Sequence, residues 1–158
     1  TANGNNLNEY ERYITALIDH HDRTLTNNSF ADRQLNCLAR NIYYEARGER
    51  VIGQLAVANV TMNRTSDGNI CSTVYKPGQF SWTRNRNRNP TGDSWRKAQV
   101  LSWLVLNQPE LIVDVTENSQ YFHSGRLTPR DFRTFTRTAT IGNHRFYRQF
   151  DEVAEVYK

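Results

Sequence analysis

The sequence predicts an α+β domain, helix-rich with a small antiparallel sheet, on three observations. Apolar residues recur at helical spacing in four stretches of the first two-thirds of the chain. Two aromatic-rich runs near the C-terminal end, 120–123 and 141–150, are short, follow turn-prone residues and read as strands. The 158 residues contain no repeat period and no linker-like segment, so one compact domain is expected.

Residues 1–8 are polar and Asn-rich, as in a frayed terminus. Tyr10, Tyr13, Ile14, Leu17 and Ile18 then place a first helix over 8–20, so that residues 1–30 form an N-terminal extension with one helix before the main unit, 31–158. Ser29 or Asp32 caps a second helix over 32–47, with Leu35, Leu38, Ala39, Ile42, Tyr43 and Ala46 on one face and Gly48 as the C′ residue that ends it. The third helix, 51–64, is apolar around most of its circumference and therefore central. Ser66-Asp67-Gly68-Asn69 is a turn, 70–82 reads as short extended pieces around Pro77-Gly78, and 83–92 is a loop. Asp93 or Ser94 caps a fourth helix running to Asn107, and 151–158 closes the chain with a helical turn.

Composition narrows the function. Mean hydropathy is −0.76, low enough to suggest disorder, but 3 Trp, 8 Tyr and 7 Phe argue for a folded core. No run approaches the roughly 20 apolar residues that cross a bilayer, so no membrane span is expected. The net charge of +4 rests almost wholly on 17 Arg against 3 Lys. Guanidinium groups suit polyanionic partners, and the Arg84-Asn85-Arg86-Asn87-Arg88-Asn89 run suits phosphates. No nucleic-acid fold signature accompanies it, and a solvated loop is the better reading of it, so nucleic acid is not the expected partner. Cys37 and Cys71 form either one bridge or two buried thiols. The chain opens at Thr1 without a signal-like pattern, which leaves room for a removed leader or a further domain.

Three chemistries compete. His20-His21 are adjacent while His123 and His144 stand alone, and no local zinc spacing exists, so neither a metal nor another cofactor is expected. No G-x-S-x-G occurs, and only a distant Cys37 or Cys71 with His123 offers a thiol pair. The carboxylate reading centres on Tyr44-Glu45-Ala46-Arg47-Gly48-Glu49. Glu45 falls in the last turn of the second helix, where the helix dipole and flanking rings raise a carboxyl pKa toward that of a general acid. Arg47 opposes that shift, and an exposed Glu45–Arg47 pair is the plain alternative. Gln79-Phe80-Ser81-Trp82 and Tyr121-Phe122-His123-Ser124 mix rings with amides and hydroxyls, as sugar clefts do, although rings on short strands also serve as core.

The stretch Cys37-Leu38-Ala39-Arg40-Asn41-Ile42-Tyr43-Tyr44-Glu45-Ala46-Arg47-Gly48-Glu49 resembles the bacterial cell-wall hydrolase family of SleB and CwlJ type, which includes spore-cortex-lytic enzymes and phage lysins. The likeness continues through 53–60, Asn63-Arg64, 71–75, 79–82, 121–124 and 141–147, and so covers about 34–148. It implies a lysozyme-like fold, a peptidoglycan-cleaving unit over 31–158, and glycan strands of the bacterial envelope as the partner of a monomeric enzyme. It also assigns Glu45 as the catalytic acid. Tyr44, Glu49, Gln79, Phe80, Ser81, Trp82, Tyr121 and His123 become candidates for substrate binding. Members carry two labels, N-acetylmuramoyl-L-alanine amidase and lytic transglycosylase. A glycosidase needs a second carboxylate; Glu49, Asp114 and Glu117 are the candidates, none in a telling context. A transglycosylase needs only one, and the expectation is therefore a metal-independent lytic transglycosylase. The alternatives are a zinc or cysteine amidase and a non-enzymatic wall- or nucleic-acid-binding module.

Overall fold

The computed structural model describes residues 4–85 and 87–149. Five helices and a three-stranded antiparallel sheet make up its regular structure, an α+β fold. Helix α1 (Gly4–Asp22) is followed by a 3-10 turn at Asn27–Phe30 and by α2 (Arg33–Ala46), α3 (Val51–Arg64), the short α4 (Ile70–Val74) and α5 (Gly92–Asn107). Strands β1 (Tyr121–Ser124), β2 (Thr136–Ile141) and β3 (His144–Arg148) close the described chain.

The core is built around α3, in which every residue from Val51 to Thr61 is buried. A helix apolar on all sides needs neighbours on all sides. Here α2 and α1 pack against it, with α5, α4 and the sheet strand β2 completing the shell. Helix α2 starts where Asp32 accepts hydrogen bonds from the Gln34 and Leu35 amides at 2.6 and 3.3 Å, satisfying two of the orphan donors of a helix start. At the start of α3 the side chain of Glu11, from α1, accepts the Ile52 amide at 3.0 Å and pairs with Arg50, so a buried carboxylate caps the central helix. Cys37 and Cys71 form a disulfide that joins α2 to α4, with Cα atoms 5.2 Å apart.

The sheet has the order β1-β3-β2. Tyr121 pairs with Tyr147 and Ser124 with His144 across β1 and β3, while Ile141 faces His144 across β2 and β3. The Gly142-Asn143 turn joins β2 to β3. Gly142 takes φ +57°, and a Cβ there would lie 2.9 Å from a carboxylate oxygen of Glu49, so both backbone and space call for glycine.

Several elements depart from expectation. The 70–82 segment is not a set of extended pieces: Asn69 accepts the Ser72 amide at 3.0 Å and starts α4, and a 3-10 turn covers Ser81–Arg84. A β-branched, aromatic composition suggested strand, but a side-chain cap and the Cys37 bridge select a helical turn instead. Gly48 follows the C-cap Arg47 as the expected C′ residue, but without a positive φ, and the chain turns directly into α3. Neither Asp93 nor Ser94 is the cap of α5: the helix begins at Gly92, which has a positive φ, with Thr91 at the N-cap position. The β2 strand was not foreseen, because Thr136–Ile141 alternates Thr with Arg and Ala and offers no continuous apolar face. The expected terminal turn at 151–158 and the first three residues of the expected frayed end lie outside the described residues, and α1 begins at Gly4.

Candidate active site

Glu45 sits in the last turn of α2, and its position follows from the packing of that helix. Ile42 and Ala46 are buried against the core, which turns Glu45 toward the end of a cleft of about 570 Å³. The far wall is the sheet edge β1, and the segment from Gly78 to Arg84 forms the side. The Glu45 carboxyl is half-buried and has no hydrogen bond or ion pair among the described residues. Burial raises its pKa from 4.5 to about 7. Arg47 does not oppose this: its guanidinium lies over the Tyr43 ring, 4.8 Å from the centroid.

Of the other expected binding residues, Gln79, Phe80, Ser81, Tyr121 and His123 line this cleft together with Glu45. Phe80 is buried and forms its back wall, against Phe122. His123 bonds through Nε2 to the Tyr147 hydroxyl at 2.9 Å, and its ring stacks on that of Tyr147. Because β1 is the edge strand, both of its faces reach the cleft. Tyr121 and His123 lie with Phe132, Phe135 and Tyr147, while Phe122 lies with Phe80, His144 and Phe146.

Three expected binding residues stand elsewhere. Trp82 donates its indole N–H to Asn41 Oδ1 at 2.8 Å and is drawn onto α2. Tyr44 stacks on Trp82, with centroids 4.6 Å apart, and faces a separate pocket. Glu49 is wedged between Gly53 and Gly142, where it accepts the Asn143 amide at 3.0 Å. Its carboxylate lies 3.7 Å from His144 Nδ1, too far for a hydrogen bond, and that buried nitrogen has no other partner among the described residues. Burial holds the His144 imidazole below its ordinary pKa; Glu49 pulls it up, and His123 adds to the depression. Glu49 thus ties the α2–α3 junction to the β2–β3 turn, two elements that flank the cleft.

The candidate second carboxylates also resolve. Asp114 accepts bonds from Thr116, Asn118 and Asn63 and organises the chain before β1. Neither Asp114, Glu117 nor Glu49 lines the cleft; Asp131 does, from the 3-10 turn Arg130–Phe132. Sequence reasoning missed Asp131, and with it Phe132, Phe135 and His144. Two rings three residues apart in an otherwise polar stretch were the available signal for the first three. Among the described residues, no three His, Cys, Asp or Glu side chains gather as metal ligands.

Arg64 was also missed as a support. It reaches from the end of α3 beneath the cleft, donates to the Gln120 carbonyl at 2.9 Å and to the Gln79 side-chain oxygen, and lies 4.7 Å from the Tyr121 centroid. With its oxygen engaged, Gln79 keeps its NH2 group as a donor at the cleft it lines. Arg64→Met is expected to raise KM for a substrate bound in this cleft about tenfold, the scale of a lost charged hydrogen bond, with little change in kcat; Arg64→Lys is expected to recover part of it.

A family model for Cell Wall Hydrolase matches residues 48–147, more than half of the chain. The chain belongs to the cell wall hydrolase family. The matched segment contains the cleft residues of the 78–84 segment and the sheet, and begins three residues after Glu45. A spore cortex-lytic enzyme of Bacillus cereus is 28% identical over 124 residues, 75% of this chain and 46% of that protein. A spore cortex-lytic enzyme of Halalkalibacterium halodurans is 32% identical over 84 residues, 51% of this chain and 26% of that protein. The chain therefore spans less than half the length of either relative. No solved structure matches it significantly.

Proposed function

We propose that this chain is a peptidoglycan-lytic enzyme of the bacterial envelope that cleaves the MurNAc-β-1,4-GlcNAc bond as a lytic transglycosylase, with Glu45 as acid and then base. The observation that carries this reading is the Glu45 carboxyl itself: partnerless, half-buried in a polar cleft and raised to about 7. A group with that pKa is protonated often enough at neutral pH to donate, and basic enough afterwards to accept. Family membership supports the substrate class, and the rings and amides along β1 and the Gly78–Arg84 segment suit the faces and hydroxyls of pyranoses.

The reaction runs in two steps on one residue. Glu45 gives its proton to the glycosidic oxygen as the C1–O bond breaks, and GlcNAc leaves with a free 4-hydroxyl. The Glu45 carboxylate then takes the proton of the MurNAc C6 hydroxyl as O6 bonds to C1, forming the 1,6-anhydro ring and restoring the acid. No water is consumed and no second carboxylate is needed.

One observation favours a second reading, hydrolysis: Asp131 faces the same cleft and stands as a candidate base for water. Asp131→Asn separates the two. As a transglycosylase the variant is expected to lyse purified cell walls within about threefold of the unaltered protein, with no new reducing sugar ends from either. Loss of lysis by 10²-fold or more, together with reducing ends released by the unaltered protein, would assign Asp131 the base and the enzyme hydrolysis.

A further inference from the structure

The far side of the α2 end carries a second pocket, of about 380 Å³, to which the mechanism gives no task. Tyr43, Tyr44, Arg47, Arg88 and Asn89 contribute to it. Tyr44 and Glu45 are neighbours on the last turn of α2, so the pocket and the catalytic cleft flank one helix end. The chain segment that begins in the cleft at Gln79 and Arg84 continues into this pocket at residues 87–89 and is fastened there, because the Tyr44 hydroxyl donates to the Arg88 carbonyl. Arg86 lies outside the described residues.

The charge of this pocket is uncompensated. Neither Arg47 nor Arg88 has an acidic partner among the described residues, although 16 acidic side chains are present in the chain. The Arg47 guanidinium carbon lies 4.8 Å from the Tyr43 ring centroid, and a guanidinium held over a ring keeps N–H donors for a planar anion. In a glycan strand that bears stems the lactyl carboxyl of MurNAc is tied up in the amide to the peptide, so the free carboxylates belong to the stem, which leaves from the same MurNAc whose C1–O bond is cut. A stem hanging from a sugar beside Glu45 therefore has a cationic pocket next to it.

We infer that the Arg47–Arg88 pocket binds a carboxylate of the peptide stem on the MurNAc being cleaved. The inference rests on the glycan-cleaving reading for its substrate, but its test includes a readout that does not need cleavage. The free stem tetrapeptide containing D-glutamate and meso-diaminopimelate, titrated into the protein and followed by NMR, is expected to shift signals of Arg47, Tyr44 and Asn89. The same peptide with its carboxyls amidated is expected to leave them in place, as is the unmodified peptide added to the Arg47→Ala/Arg88→Ala protein. Shifts that persist in that double variant, no shifts in the unaltered protein, or equal shifts from polyglycerol phosphate would overturn the inference.

Kinetics supply the second arm. The double variant is expected to lose about tenfold in kcat/KM on glycan strands that bear stems, as two exposed charge pairs would give, and to match the unaltered protein on strands whose stem carboxyls are amidated. Arg47→Lys/Arg88→Lys, which keeps charge but not the planar fork, is expected to fall between. Equal losses on both substrates would mean general attraction to an anionic wall and would contradict a stem site. Absence of glycan cleavage by the unaltered protein on either substrate would instead contradict the proposed function, while the peptide titration would still decide the pocket.

Discussion

Glu45→Gln is expected to reduce lysis of purified peptidoglycan by at least 10³-fold while leaving sedimentation with insoluble walls unchanged, because the amide fills the same space but neither donates an acidic proton nor accepts one. The unaltered protein should show the complementary pH dependence. Its acid must be protonated to start the reaction, so kcat/KM is expected to fall about tenfold per pH unit above about 7, where the Glu45 carboxyl ionises. The same burial costs stability. The folded pKa of about 7 lies above the unfolded value of 4.5, so the folded state holds the extra proton between them. Stability from this group is thus undiminished below about 4.5 and is lost as pH rises toward 7. At pH 8 Glu45→Gln should remove a penalty of about 1–3 kcal/mol and raise Tm by several degrees, whereas at pH 4 it should change Tm little. A variant that loses activity while gaining stability marks a residue retained for chemistry. An inactive variant whose Tm falls at pH 8 would instead mark Glu45 as a structural residue.

The disulfide carries the second large effect. Cys37→Ser/Cys71→Ser opens a loop of 34 residues' separation that ties α2, the helix bearing Glu45, to α4. Loop-closure entropy puts the loss at about 4 kcal/mol, or roughly 10 °C in Tm for a domain of this size. The loss is expected equally on reduction of the unaltered protein, and thermal unfolding followed with and without reductant measures it. The wall of the cleft formed by residues 78–84 follows α4 directly, so lytic activity should decline at temperatures below the new Tm. A change of less than about 1 kcal/mol would mean that the Cys71 amide bond to Gln34 at 3.0 Å, together with core packing, already fixes α4.

What the sequence made legible was whatever its local periodicity encodes. Helix α3 appears with the expected ends at Val51 and Arg64, because an apolar stretch bounded by Arg50 and the Ser66–Asn69 turn has few alternatives. Glu45 was legible as an unusual carboxyl from its place near a helix end, but the assigned reason was incomplete. The dipole argument needs only the helix; the burial that raises the pKa comes from the surrounding cleft, which sequence spacing does not show. Trp82 and Tyr44 illustrate the limit from the other side. Trp82 belongs to a motif that suits sugar binding and Tyr44 stands beside Glu45, yet Asn41 draws Trp82 inward and Tyr44 follows it by stacking, a tertiary choice with no trace in either stretch. Asp131 shows the reverse: in sequence it is one more charged residue after a proline, and only the return of the chain beside β1 brings it to the cleft. Strand β2, polar on its exposed positions, became visible only through its pairing with β3.

Mass spectrometry of the fragments released from purified peptidoglycan tests the central claim most directly. A single-residue transglycosylase acting through Glu45 should release fragments ending in 1,6-anhydro-MurNAc, one water lighter than the hydrolysed forms and unchanged by borohydride, and should release none after Glu45→Gln. Fragments with reducible MurNAc ends would contradict transglycosylation and move the chemistry to Glu45 with Asp131. Free peptide stems with intact glycan would contradict glycan cleavage altogether.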